Sequence, residues 1–88
     1  MPMDDRDLDL KNPVEIDGKT YLLSTVALHY VHGYPIAYET MLFPCENEEV
    51  VLRELYCMRY ETRNEAVKNH NRLLFRMNKG EKIWEVGE

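Results

Sequence analysis

Eighty-eight residues leave room for one domain with a modest core, so stability has to come from tight packing or from self-association. Acids outnumber bases sixteen to eleven, and the net charge of -5 repels phosphate backbones and anionic lipid, which argues against nonspecific nucleic-acid binding. Two cysteines, Cys45 and Cys57, fall short of a disulfide scaffold and read as reduced thiols, while the acidic start and the absence of a run of ~18 apolar residues argue against a signal peptide and a membrane span.

Residues 1–13 alternate charge with isolated leucines and end at Asn12-Pro13, which reads as a polar N-terminal arm leading into a domain over residues 14–88. Val14 to Ile16 form a short strand. Asp17-Gly18 then supplies a hairpin turn, since glycine accepts the positive φ that such a turn needs. The stretch from Lys19 to Tyr30, rich in residues that suit a pleated surface, is the longest and central strand. His29 to Pro35 form a loop, because a glycine and a proline two apart interrupt pairing.

Ile36 to Phe43 resume as a strand, with Ala37, Glu39, Met41 and Phe43 on one face and Ile36, Tyr38, Thr40 and Leu42 on the other. Pro44 lacks a ladder donor and is expected to end it. Glu46 to Glu49 form a solvated connection, and a further strand follows at about residues 54–60. Thr62-Arg63-Asn64-Glu65 matches a capping box and predicts a helix from 63 to about 79, closed by Gly80. Ala66, Val67, His70, Leu73, Leu74 and Met77 share one face of it, the face that packs on the sheet. Ile83 to Val86 either add an edge strand or pack as a tail around Trp84. The expected fold class is therefore α+β, a small antiparallel sheet of about four strands packed by one C-terminal helix.

Few residues carry recognisable chemistry. His29, His32 and His70 lack the tight spacing of a zinc site, so no metal is assigned. Ser24, Cys45 and Cys57 have no base beside them in sequence, four scattered glycines make no phosphate loop, and neither an enzyme nor a cofactor is expected. Glu39 is the most informative residue. If its face meets the helix, the carboxylate needs a partner, and Arg59 and His70 are the natural ones, as a structural network in preference to a ligand site. The helix exposes Arg63, Lys68, Arg72, Arg76 and Lys79, a solvated face in preference to an anion contact. Tyr30, Tyr34 and Tyr38 cluster around the loop and are candidate interface residues, with Arg72 as a further contact.

The segments Thr25 to Leu28, Pro35 to Phe43, Arg59 to Ala66 and His70 resemble a family of short uncharacterised proteins of tailed bacteriophages and prophages. Its pattern runs "TV.LG..H", "ETMVF" and "RY.T..EA..GH" over roughly residues 22 to 70; this chain departs from it at Tyr30 and Asn69. The resemblance implies a phage accessory protein in the cytoplasm of a bacterial host, with Glu39, Arg59 and His70 as residues that matter. A protein partner is expected, with the chain acting as a binding inhibitor of a host defence system and an acidic patch at Glu46 to Glu49 meeting a basic surface. Two alternatives stay open. One is an oligomeric sponge for a nucleotide signal, with Tyr34 and Arg72 at a pocket between subunits; the other is a structural or regulatory phage protein. A homodimer fits the composition, 44% apolar and 10% aromatic.

Overall fold

The computed structural model describes residues 8–28 and 37–85. Five antiparallel strands, β1 (Asp9–Ile16), β2 (Lys19–Leu28), β3 (Ala37–Glu46), β4 (Glu49–Val50) and β5 (Tyr56–Tyr60), are followed by α1 (Arg63–Asn78) and a 3-10 turn (Ile83–Glu85). The main sheet runs in the order β1-β2-β3-β5, and the two-residue β4 pairs with the far end of β3. The expected α+β class, an antiparallel sheet with one helix after it, is what the chain adopts.

The first strand corrects the reading of a polar arm through residue 13. Pairing with β2 already runs from Asp9↔Val26 to Ile16↔Lys19. Leu8, Val14 and Ile16 are buried and Leu10 and Asn12 half-buried, while Asp9, Lys11, Pro13 and Glu15 are exposed, so the charges occupy one face and the apolar residues the other. Pro13 fits because the Ala27 amide donates to the Leu8 carbonyl at 3.1 Å, which makes Leu8 and Ala27 a hydrogen-bonded pair. Counting on by twos, Pro13↔Leu22 is a non-bonded pair, and the missing N–H would have pointed off the open edge of the sheet.

Pro44 likewise fails to end its strand, contrary to expectation, because β3 uses its odd-numbered residues to bond β2. Its nitrogen faces β4 instead. The Pro44 carbonyl still accepts from Val51 at 2.8 Å, and the Val51 carbonyl, which Pro44 cannot serve, accepts from the Arg53 amide at 2.8 Å. β5 begins at Tyr56, two residues later than expected. Two-residue turns close both hairpins with left-handed pairs, Asp17 and Gly18 at φ 56° and 79°, and Asn47 and Glu48 at φ 54° and 67°.

At α1 the capping box is complete. The Thr62 hydroxyl accepts from the Glu65 amide at 3.1 Å, and the Glu65 carboxylate accepts from the Thr62 amide at 3.3 Å. At the other end the Gly80 amide donates to Met77 and the Glu81 amide to Arg76, a Schellman closure that places Gly80 at φ 93°. Ala66, His70, Leu73 and Met77 are buried against the sheet, with Val67 and Leu74 half-buried beside them. The core has two apolar parts: Val14, Ile16, Tyr21, Leu23, Leu42, Leu73, Met77 and Ile83 toward the helix C-terminus, and Leu8, Tyr38, Tyr60 and Ala66 toward its start. Trp84 packs as a tail, its ring 4.6 Å from that of Tyr21.

Glu48 takes a left-handed conformation that costs a side-chain-bearing residue about 1 kcal/mol and glycine almost nothing. Replacing Glu48 with glycine is expected to raise stability by ~0.5–1 kcal/mol in urea unfolding, less whatever glycine adds to unfolded-chain entropy. A loss of stability would show that the side chain, and not the backbone, secures the turn.

Candidate functional site

The helix-facing side of the sheet carries one polar residue on each of three strands at the waist between the two apolar parts. Asn12 lies between Leu10 and Val14 on β1, Thr25 between Leu23 and Ala27 on β2, and Thr40 between Tyr38 and Leu42 on β3; His70 descends on them from α1 between Ala66 and Leu73. Thr25 and Thr40 are 0% exposed and His70 2%. The two threonine hydroxyls are 2.5 Å apart, Thr25 Oγ1 is 2.7 Å from His70 Nδ1, and His70 Nε2 is 2.7 Å from Asn12 Oδ1.

These contacts form a chain with one direction. An amide oxygen only accepts, so His70 Nε2 carries the proton and donates to Asn12. Nδ1 then accepts from Thr25, and Thr25 accepts from Thr40. The imidazole is neutral in this arrangement, and burial holds its pKa below the ordinary value of 6.5. Tyr60, also at this level, has a buried hydroxyl; burial raises its pKa, and a hydrogen bond with Thr40 partly offsets this.

Glu39 is on the other side of the sheet. The anticipated single cluster of Glu39, Arg59 and His70 is therefore corrected: Thr40 points at the helix, so alternation turns Glu39 away from it. The Glu39–Arg59 half of the expectation holds. The two are register partners across β3 and β5, and Arg59 Nε donates to Glu39 Oε2 at 2.9 Å. The Cys57 thiol donates to the same oxygen at 3.4 Å. Glu39 is only 7% exposed, in a setting of half-buried Leu22, Val26, Met41 and Phe43 with Ser24 buried beside them. Burial first, and the Glu39 hydrogen bond and charge next, push the Cys57 thiol above its ordinary range, the opposite of an activated nucleophile.

Of the candidate interface residues, Arg72 is exposed, with its guanidinium held by Asn69 Oδ1 through Nε at 3.1 Å and an Nη at 2.9 Å. Tyr38 is corrected. At 3% exposure it is core, packed with Leu8, Tyr60 and Ala66, because its parity is that of Thr40 and Leu42. Tyr30 and Tyr34, like His29 and His32, lie outside the described residues. Among the described residues no group of three or more His, Cys, Asp and Glu side chains is placed to hold a metal ion, and both His70 nitrogens are engaged.

Asn12, Thr25 and Thr40 were not singled out from the sequence. Their signal was present as polar residues at the inward parity of three strands, at positions otherwise filled by Leu, Val, Tyr and Ile.

Fold and site together define a small α+β protein whose best-formed side-chain network lies between sheet and helix. No family model, curated protein or solved structure matches the chain. Among the described residues no helix is long and apolar enough to cross a membrane.

Two outcomes follow from these networks. Because the His70 pKa is depressed in the folded state, the unfolded chain binds the extra proton; the associated stability is complete above pH 6.5 and declines as pH falls from there through the folded value. Thermal unfolding of His70→Gln should lose that part of the pH dependence, and an identical wild-type and variant profile would show that the ring titrates normally. On the outer face, Glu39→Gln in a Cys45→Ser background should lower the Cys57 pKa in part, burial remaining, and quicken its reaction with a thiol reagent at pH 8, roughly where a free thiol titrates. An unchanged rate profile would remove Glu39 as a cause.

Proposed function

We propose that this protein is a small phage-type accessory protein that acts by binding another protein, as an inhibitor of a host defence system, without catalysis. The observation that carries the reading is Leu52. It is 81% exposed, the most exposed large apolar side chain among the described residues, and follows the tight Asn47-Glu48 turn in a segment where Glu46, Glu48, Glu49 and Glu54 are exposed and Arg53 is the one base. Val50, 40% exposed, adds to it. An exposed apolar anchor in an acid-rich segment suits a basic docking surface: the charges steer encounter and the leucine supplies desolvated contact. The non-catalytic part of the reading is supported by the burial of Thr25, Thr40 and His70 and by the raised pKa of Cys57.

The nucleotide-sponge alternative draws on Lys68, Arg72 and Phe75, which line a shallow groove along α1 with Glu65, Asn69 and Asn71. Native mass spectrometry of protein purified from cells distinguishes it, since a retained nucleotide would replace the protein-binding reading.

The direct test compares affinity capture from bacterial lysate by the wild type and by the variant Glu48→Lys, Glu49→Lys, Leu52→Ser, followed by titration with the purified captured protein. The expected outcome is a partner with a basic contact face whose affinity drops ~10–100-fold with the variant and weakens with salt. A partner held equally by both proteins, or no protein enriched over a control resin, would overturn the assignment.

A further inference from the structure

Among the described residues the second most exposed large apolar side chain is Phe75, at 64%, and its surroundings are the electrostatic inverse of those of Leu52. Lys68, Arg72, Phe75 and Lys79 recur at intervals of four, three and four residues, which at 3.6 residues per turn places them along one line of α1, opposite the buried Ala66, His70, Leu73 and Met77. Over residues 63–79 five bases face one acid, Glu65, in a chain whose net charge is -5. Glu65 belongs to the capping box and Arg76 is ion-paired to Glu81 at 2.8 Å. Lys68, Arg72 and Lys79 remain directed at solvent around the ring.

Local contacts hold parts of both patches in place. Lys79 Nζ sits 4.9 Å from the centre of the Phe75 ring, and Asn69 fixes the Arg72 guanidinium with two hydrogen bonds. On the acidic side the Asn47-Glu48 turn and the Arg53-to-Val51 hydrogen bond set the course of the chain around Leu52. Two preorganised surfaces lose little side-chain freedom when they meet. Their chemistry is complementary, an apolar anchor among carboxylates against an aromatic anchor among cations.

We infer that a second copy of this chain docks here: the acidic hairpin end of one molecule, residues 46–54 with Leu52 at the centre, seats on the Lys68, Arg72, Phe75 and Lys79 face of the next. The two patches are different surfaces, so the contact is head-to-tail, and its repetition gives a ring or an open chain and not a two-fold dimer. This rests on the reading of the acidic end as a docking surface. A basic partner protein and a neighbouring copy then compete for the same leucine.

A heterologous contact has a complementation signature that a two-fold contact lacks. The helix-face variant Lys68→Gln, Arg72→Gln, Phe75→Ser keeps its acidic end; the end variant Glu48→Lys, Glu49→Lys, Leu52→Ser keeps its helix face. Sedimentation velocity of the wild type at low ionic strength is expected to show species of at least roughly twice the monomer mass that dissociate in high salt. Each variant alone is expected to be monomeric, and a mixture of the two to form one-to-one pairs that grow no further. A wild type monomeric at low salt, association undisturbed by either variant, or a mixture that does not pair would each overturn the inference. Circular dichroism establishes that the variants are folded; where a triple variant is not, the single changes Phe75→Ser and Leu52→Ser take its place. The helix-face variant also separates the two readings, since its intact acidic end still captures a basic partner if only the self-association is wrong.

Discussion

The hydrogen-bonded chain from Thr40 through Thr25 and His70 to Asn12 is the constraint on which the arrangement of this protein depends. It draws one side chain from each of β1, β2, β3 and α1 to a single level of the core, and each link is usable only if every element sits at its observed register. A two-residue slip of β3 against β2 would keep the inward parity of every side chain yet set Thr25 against Tyr38 or Leu42, leaving a buried hydroxyl and an imidazole nitrogen unpaired. Each orphan of that kind costs ~1–3 kcal/mol, a sizeable share of the stability of a domain this small. Apolar packing alone would tolerate such a slip more readily, so the polar waist specifies the fold while the two apolar parts on either side of it supply most of the driving force.

The same closure explains where chemistry is and is not accessible. In the row of hydroxyls, imidazole and amide, Thr25, Thr40 and His70 are 0% to 2% exposed, and Asn12 is half-buried. The outer face holds a second, independent polar unit, with Glu39 serving both Arg59 and Cys57. Its carboxylate gains a charged partner and lies beside half-buried Met41 and Val26, an arrangement that fixes β5 to β3 by a cross-strand ion pair. Two exposed segments carry opposite charge: acids predominate in residues 46–54 around Leu52, bases in residues 63–79 around Phe75. Surfaces of this kind are suited to recognition, and the two most exposed large apolar side chains among the described residues, Leu52 and Phe75, lie there.

Much of the architecture was legible in the chain. The capping box at Thr62, the Schellman glycine at Gly80, the Asp17-Gly18 turn and the 3.6-residue stripe through Ala66, His70, Leu73 and Met77 are local signals, each sufficient to place an element without knowledge of its neighbours. The errors are equally instructive. Residues 9–13 looked like a solvated arm because charges dominate them, yet their period of two, with Leu8, Leu10 and Asn12 in phase with Val14 and Ile16, already marked a strand with one wet face. Pro13 and Pro44 looked like terminators because a proline's effect depends on which way its nitrogen points, and that is set by the neighbouring strands.

By itself the sequence determined the class of fold, the helix and its ends, the Asp17-Gly18 turn, and the alternation that divides β3 into two faces, since all of these arise from interactions within a few residues. Only the tertiary structure decided which face of β3 meets the helix. Alternation is symmetric between the two faces, and both offered an apolar row with one polar interruption, Glu39 in one and Thr40 in the other. Desolvation breaks the symmetry: a neutral hydroxyl can be buried at the cost of one hydrogen bond, whereas a carboxylate under the helix would have to carry its cation in with it. That difference sends Thr40 to His70, Glu39 to Arg59, and Tyr38 into the core.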